Sequence, residues 1–408
     1  MEQIKGGVTA AKGFEAAAAA AGIKYEGRTD MALVYSTVPC TAAGTFTSNV
    51  VKAAPVLWDR HIVRESTLPV QAVVVNSGIA NACTGQEGMK ICEETAKEAG
   101  KVLGIPDTSV LIGSTGVIGM QIPMDRVKDG ISQLAASKSA SLEAGEAASR
   151  AIMTTDTHNK QAAVTFSVGG KTVTLGGMSK GSGMIHPGMC TMLAFLTTDA
   201  AIEKELLQKA VSEVVEDTFN MISVDGDMST NDTLLVLANG LAGNETIREK
   251  NEDYESFKEA LFVICRKLAM EMAGDGEGAT KLIESQVLHA DTKEHAKILA
   301  KAVIQSNLTK AAIFGRDANW GRVLCALGYS GVRFDPENVD LYFEADGKSM
   351  LIFTGGSAAD YSEEEAAKLL GNEKVIIRSD MHMGDESATA WGCDLTYDYV
   401  KINADYRS

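Results

Sequence analysis

Residues 180–199 read KGSGMIHPGMCTMLAFLTTD, and no other stretch constrains the chain as much. It opens on a glycine-loosened turn, Lys180-Gly181-Ser182-Gly183. It closes on an apolar run, Met192 to Leu196, short enough to be a buried strand. Cys190-Thr191 falls where flexible chain becomes packed chain. Cutting that bond would leave Thr191 with a hydroxyl and its own α-amine on one residue. Such a pair is a nucleophile with a built-in base, a recognised variant of the catalytic triad. The plain alternative is a β-branched residue opening a strand, and the stretch taken alone favours it. Support for the nucleophile has to come from the rest of the chain.

The chain has 408 residues, enough for two or three domains with sizeable cores. Hydrophobic residues make up 45% and charged residues 23%, the balance of a soluble globular protein. A net charge of −16 argues against nucleic acid or an anionic membrane as partner, since long-range repulsion opposes both. The cysteines at 40, 83, 92, 190, 265, 325 and 393 are odd in number and never spaced as CxxC. That pattern fits reduced thiols in a cytosol better than a disulfide frame or a zinc site. Ala16 to Ala21 invite a signal-peptide reading. They lack a basic segment before them and a Leu/Val-rich apolar core, so a piece of helix or packed surface is expected. No stretch approaches the ~20 apolar residues of a membrane span, and a cytoplasmic protein is expected.

In chain order, Met31–Ser36 and Val70–Val75 read as buried strands, the second running into a turn at Asn76-Ser77-Gly78. A helix is predicted over Gln86–Leu103, ended by Gly104 and Pro106. Val110–Ile112 is a further strand, and it stops at Gly113-Ser114-Thr115-Gly116. Small residues there let backbone N–H groups turn outward, as an oxyanion hole needs, although an ordinary strand-ending turn is the safer reading of the motif alone. The turn is small and not obviously core, so substitution in it is expected to cost turnover rather than stability. Helices near 124–137 and 141–153 lead to Thr154–Thr157, a polar cluster suited to capping or to lining a site. A hairpin split by Gly169-Gly170 delivers the chain to Lys180.

Past Thr191, 202–215 is an amphipathic helix. Ser223 to Thr233 (SVDGDMSTNDT) superficially resembles a calcium loop but lacks glycine at its sixth position and the bidentate glutamate, so no metal is expected there. A long helix over about 255–272 stops at Gly274–Gly278, with Glu277 set among glycines. The pattern then restarts: a strand, a helix at 293–305, a strand at 311–314, a helix from Trp320, strands near Leu341 and Val375, and a helix at 362–370. The tail, 395–402, alternates like a strand. No Rossmann or P-loop fingerprint is present, and no nucleophile elbow or H-E-x-x-H. The histidines at 61, 158, 186, 289, 295 and 382 form no local pair at metal-ligand spacing, and no metal site is expected.

Eight ordered strings together resemble one family, the glutamate N-acetyltransferases (ornithine acetyltransferases) of arginine biosynthesis. They are NSGIANACTG (76–85), GSTGVIG (113–119), AIMTTDT (151–157), the 180–199 stretch, SVDGDMSTNDT, DGEGATK (275–281), GRDANWGR (315–322) and the terminal NADYRS. They run from end to end, and their conjunction is far more specific than any one of them. The resemblance implies a precursor that cleaves itself between Cys190 and Thr191. It implies Thr191 as nucleophile and Thr115 and Gly116 as the oxyanion hole. Thr154, Lys180, Thr191, Glu277, Asn403 and Ser408 would contact substrate. The residue before the threonine is often alanine in this family and is Cys190 here. Its thiol would attack the Met189 carbonyl, one residue early, so Thr191 remains the expected nucleophile.

The expected fold is α/β. It has a catalytic part of layered sheets and helices, αββα-like, over 1–278, and a smaller C-terminal α/β domain over 279–408. The implied reaction moves the acetyl group of N2-acetylornithine to glutamate through an acetyl-Thr191 ester. The substrates are small molecules and no cofactor is required, while acetyl-CoA is left open as a second acetyl donor. A heterotetramer of two α and two β fragments is implied by the same resemblance. Two other readings stay in view. One is a self-processing aminopeptidase or amidase with an N-terminal Thr nucleophile; the other is a non-catalytic amino-acid-binding protein.

Overall fold

The computed structural model of this chain describes residues 1–66, 68–186 and 192–405. The chain divides into two compact units. The first comprises Met1–Gly181, Gly188–Phe219 and Met228–Leu268; the second comprises Ser182–Pro187, Asn220–Asp227 and Ala269–Ser408. The long run of the second unit thus begins at Ala269, ahead of the 278/279 division expected from sequence. A compact unit can be assembled from segments far apart in the chain, whereas a change in sequence pattern marks only a single cut.

The strands of the first unit are β1 (Glu2–Ile4), β2 (Phe14–Ala19), β3 (Met31–Phe46), β4 (Val70–Asn76), β5 (Val110–Ser114), β6 (Lys160–Val168), β7 (Lys171–Lys180) and β8 (Leu193–Thr198). The short β9 (Ile222–Ser223) belongs to the second unit, and β10 (Thr233–Ala238) returns to the first. The sheet runs β1-β6-β7-β8-β10-β3-β4-β5, with β2 also paired to β3. Strand β3 is the joint of this arrangement. Its first half pairs with β2 and β4, its register shifts between Tyr35 and Cys40, and its second half pairs with β10.

Strand β4 shows why the sequence reads as an unbroken apolar run. Val73 and Val75 enter one core cluster with Phe14, Leu111 and Phe195, while Ala72 and Val74 enter another with Met31, Leu33 and Ile112. Alternate residues point to opposite faces, so a strand buried on both sides must be apolar throughout. Helices Gly85–Leu103 and Met124–Ser137 cover the second face through Ile91, Cys92, Ala96, Val127, Ile131 and Leu134. Helix Gly85–Leu103 ends as predicted, at Gly104 in the left-handed conformation (φ 70°). The β6–β7 hairpin turns at Gly169 and Gly170, both at positive φ (53° and 72°), as a two-residue hairpin loop requires.

The second unit carries β11 (Leu282–Ala290), β12 (Asp340–Ala345), β13 (Lys348–Thr354), β14 (Ser357–Ala358), β15 (Lys374–Asp380) and β16 (Glu386–Cys393). Its sheet runs β14-β13-β12-β15-β11-β16-β9, with β11 parallel to β15 and antiparallel to β16. Helix Lys293–Gln305, capped by the Thr292 side chain, packs on β11 and β16. The architecture is therefore α/β with sheets layered against helices, as expected. Among the described residues no helix is long and apolar enough to cross a membrane.

Two local expectations fail, and of the two alternatives for the alanine run only the packed one holds, not the helix. Ala16–Ala19 belong to β2, paired from Phe14↔Ser36 to Ala19↔Met31, because tertiary pairing with β3 overrides alanine's helical preference. Residues 311–314, expected as a strand, lie in helix Asn307–Phe314, where the Ser306 hydroxyl accepts from the Thr309 N–H as an N-cap. The tail is not a strand: Tyr397–Ala404 is a helix, with Tyr397 and Val400 largely exposed.

Candidate functional site

In the first unit, parallel strands β4 and β5 end side by side, and their following turns stay paired. The Thr115 N–H donates to the Asn76 carbonyl (3.0 Å) and the Val117 N–H to the Gly78 carbonyl (3.1 Å). Ser114 Oγ accepts from the Asn81 N–H (2.8 Å) and donates to the Ile79 carbonyl (3.1 Å). Asn231 Nδ2 donates to the Ser114 carbonyl (2.8 Å). Gly116 sits between, at φ 131°, and a Cβ there would lie 2.2 Å from the Gly78 carbonyl carbon and 2.6 Å from the Ile79 nitrogen. Only glycine fits this close approach of two backbones. The turn therefore does not tolerate substitution at Gly116 in the way its small, polar sequence implies.

Strand β7 ends at Lys180, which is opposite Leu193 of β8 and nearly buried. Its Nζ donates to Thr154 Oγ1 (2.8 Å) and to Thr115 Oγ1 (3.4 Å) and lies 3.9 Å from Asp156 Oδ2. Three residues assigned by resemblance, Thr115, Thr154 and Lys180, thus meet at one ammonium group. The contact also defines what Thr115 can offer. Its N–H is committed to Asn76 and its hydroxyl oxygen accepts from Lys180, so its hydroxyl proton is the group able to donate to an oxyanion.

Beneath Lys180 lies a residue that the sequence alone does not single out. Asp156, which accepts from the Thr154 N–H (3.0 Å), also accepts from the Gly181 N–H (2.7 Å) and Lys160 Nζ (2.8 Å). The side chains of Asp156 and Lys160 are 0% exposed. Burial alone would raise the Asp156 pKa, but Lys180 and Lys160 together outweigh it, and its carboxyl is held well below the usual carboxylate range. The carboxylate orients the loop that carries Thr154 and the strand end that carries Lys180. A cue is present in the sequence, an aspartate in the polar Thr154–Thr157 cluster with a lysine four residues on.

Asp232 is a second carboxyl outside the expected set. Burial drives its pKa well above the usual range, against hydrogen bonds from Ser229, Thr47 and the Met192 N–H and the attraction of Lys180. The Met192 N–H that it accepts belongs to the residue just beyond the expected nucleophile, so this carboxyl helps to hold the backbone there. The SVDGDMSTNDT string serves both units. Asn231 and Asp232 brace the first, while in the second the Asp225 carboxylate accepts from the Met184 (2.6 Å) and Ile185 (2.9 Å) N–H groups.

The second unit brings together two further expected residues. Glu277 is buried, its N–H donates to the Ser182 carbonyl (3.0 Å), and its Oε2 accepts from Asn403 Nδ2 (2.7 Å). A Cβ on Gly183 would come within 2.4 Å of the Glu277 carboxyl, so the glycine at 183 makes room for that group. Asn403 reaches it from the terminal helix, whose start is fixed by the Thr396 hydroxyl donating to the Gly278 carbonyl (2.7 Å). Cys190 and Thr191, the expected cleavage pair and nucleophile, and Ser408 lie outside the described residues.

A buried ammonium held by two threonine hydroxyls and a charged carboxylate, beside a turn only glycine can make, defines with this α/β architecture an enzyme site. A family model described as the ArgJ family matches residues 15–408, and the chain belongs to the ArgJ family. It is 53% identical over 410 residues to the arginine biosynthesis bifunctional protein ArgJ of Symbiobacterium thermophilum, covering 100% of each chain. The protein of the same name from Thermotoga neapolitana is 48% identical over 397 residues, covering 97% of this chain and 99% of that one. Among solved structures, the arginine biosynthesis bifunctional protein ArgJ of Bacillus halodurans is 46% identical with a TM-score of 0.50. That match covers 52% of this chain and 97% of the solved one.

Proposed function

We propose that this enzyme transfers the acetyl group of N2-acetylornithine to glutamate through an acetyl ester on Thr191, after cleaving itself between Cys190 and Thr191. The observation that carries the reading is the end-to-end match to bifunctional ArgJ proteins at 53% and 48% identity, over a chain that places Lys180 against Thr115 and Thr154. The Bacillus halodurans chain spans about half of this one, a length that a cut at this position would produce.

In the precursor, the Thr191 hydroxyl attacks the Cys190 carbonyl carbon, the C–N bond breaks, and water hydrolyses the resulting ester. The freed α-amine, with a reference pKa of roughly 7.7–8.0, takes the hydroxyl proton near neutral pH. Thr191 Oγ then attacks the acetyl carbonyl, and the Thr115 hydroxyl and Gly116 stabilise the oxyanion. The proton passes to the departing ornithine amine. The neutral amine of glutamate attacks the ester and Oγ recovers its proton. Lys180 is suited to the α-carboxylate of a substrate as a point charge, with Thr154 holding it in place. Glu277, steadied by Asn403, is suited to a cationic amine, and Ser408 completes the set by resemblance. Because the relatives are bifunctional, acetyl-CoA is proposed as a second acetyl donor. A cytoplasmic tetramer of two α and two β fragments belongs to the same reading.

The test is a set of three variants read by mass spectrometry. Thr191→Ala should give one uncut, inactive chain. Thr191→Ser should still cleave, more slowly, and Cys190→Ala should cleave and transfer normally. Incubation of the cleaved enzyme with acetylornithine alone should add one acetyl group to the fragment beginning at Thr191, and glutamate should remove it. Release of free acetate at the same rate with and without glutamate would make the protein an amidase instead.

A further inference from the structure

The second unit holds a cluster that the acetyl-transfer chemistry does not use. His289, Asp380 and His382 each present one metal-ligating atom, and these atoms lie within 4.8 Å of one another. His289 Nδ1 faces both Asp380 oxygens (2.8 and 2.9 Å), and His382 Nδ1 lies 3.4 Å from Asp380 Oδ1. The other nitrogen of His382, Nε2, is 2.9 Å from Asp340 Oδ2.

The backbone is shaped to produce this convergence. Strand β11 shifts its register with β16 between Val287 and Ala290, the stretch that carries His289, and such irregularities are a usual means of re-aiming a side chain. Both histidines adopt left-handed backbone conformations (φ 54° and 51°), uncommon for residues other than glycine. The turn after β15 closes onto this stretch, with the Met383 and Gly384 N–H groups both donating to the His289 carbonyl (2.7 and 3.0 Å). Asp340 and Asp380 are directly paired residues of β12 and β15. The two rings lie nearly parallel, their centroids 6.3 Å apart.

We propose that His289 Nδ1, His382 Nδ1 and the Asp380 carboxylate form a binding site for a divalent transition metal of zinc type, with Asp340 orienting His382. When Nε2–H of His382 donates to Asp340, Nδ1 carries a lone pair directed at the Asp380 carboxylate, which is itself an acceptor. A cation between them turns this opposition of acceptors into coordination. The carboxylate–histidine–metal order is the usual way a ligating imidazole is fixed in tautomer and direction. Two imidazoles and one carboxylate select zinc and its neighbours over magnesium or calcium, and leave a coordination position open. Both rings are partly exposed, so an ion can enter from solvent.

The probe is zinc alone, titrated into metal-stripped full-length protein at pH 7.5 in competition with a chromogenic chelator. One zinc should bind per chain. His289→Ala, His382→Ala and Asp380→Asn should each weaken binding more than Asp340→Asn, which should weaken it about 10–100-fold. His295→Ala and Cys325→Ala should leave it unchanged, since neither side chain belongs to the cluster. Far-UV circular dichroism should show the variants folded, and zinc should raise the thermal midpoint of the wild type but not of His289→Ala. Zinc binding that persists undiminished in the folded His289→Ala/His382→Ala double variant would overturn the assignment. So would a wild type that binds zinc no more tightly than that variant.

Discussion

Asp156 is where a one-atom change should have the largest effect. Asp156→Asn keeps the side chain's shape but replaces a charged acceptor with a neutral amide. Its two oxygens receive three donors, from Lys160, Gly181 and Thr154, and no part of the side chain is exposed. The variant would leave Lys160 and Lys180 without this counter-charge and set an NH2 group against at least one of those donors. Removing one partner of a buried ion pair costs about 3–5 kcal/mol, because the remaining charge is left desolvated. For a unit of this size that corresponds to a fall in Tm of about 6–20 °C. The pH dependence has a definite sign. The Asp156 pKa is depressed in the folded state, so its contribution is fully present above the unfolded value of about 3.9 and is lost as pH falls toward the folded value. Urea unfolding followed by circular dichroism should therefore show a large gap between wild type and variant at pH 7 and a narrower one at pH 3. A gap below about 1 kcal/mol at pH 7, or one that widens in acid, would refute the reasoning.

Gly116→Ala should lose stability as well as turnover. A Cβ there meets the Gly78–Ile79 backbone, and the conformation and the overpacking each cost about 1–3 kcal/mol; a variant with unchanged Tm would show that the turn can open. Asp59→Asn should stabilise the protein selectively at higher pH. Asp59 is fully buried, its Oδ1 accepts from the Ile112 N–H (2.8 Å), and its Oδ2 has no hydrogen-bond partner among the described residues. Burial raises its pKa well above the usual range, so the wild type carries a penalty that grows as pH rises past the unfolded value. The gain in Tm should be larger at pH 8 than at pH 4, and an equal gain at both would remove titration as its cause.

Much of the first unit can be read directly, because its strands are covered on both faces and its breaks are marked by glycine. Val70–Val75, Gly169-Gly170 and Gly104 are in this group: local pattern and tertiary demand agree. The alanines at 16–19 mislead because alanine favours a helix on its own and is also small enough to sit between a strand and a packed layer. The 395–402 tail misleads because an alternation of Leu, Tyr and Val over a few residues suits either period. For the site, Thr115, Thr154, Lys180, Glu277 and Asn403 follow from string resemblance, and the contacts that give them meaning are not local. Asp156 meets Lys180 from 24 positions away, and His289 meets His382 across 93. Asp232 is hidden for a different reason, since nothing in the string Asn231-Asp232-Thr233 distinguishes a buried carboxyl from a solvated turn.

The order β7-β8-β10-β3 has a kinetic consequence for a chain cut between residues 190 and 191. Strands β8 and β10 would travel with the later fragment, yet each lies against a strand of the earlier one, β8 on β7 and β10 on β3. The later fragment is then intercalated, gripped along both sides, and cannot leave by peeling from one edge. Two ladders must open in a single event, so escape should be slow even where the equilibrium gain is modest. Return is another matter. A tethered strand finds its slot at an effective concentration in the millimolar range, and a severed one depends on the bulk concentration of its mate. Diluted after denaturation, the cut protein should regain activity at a rate that scales with protein concentration, while the uncut Thr191→Ala chain should refold at a rate independent of it.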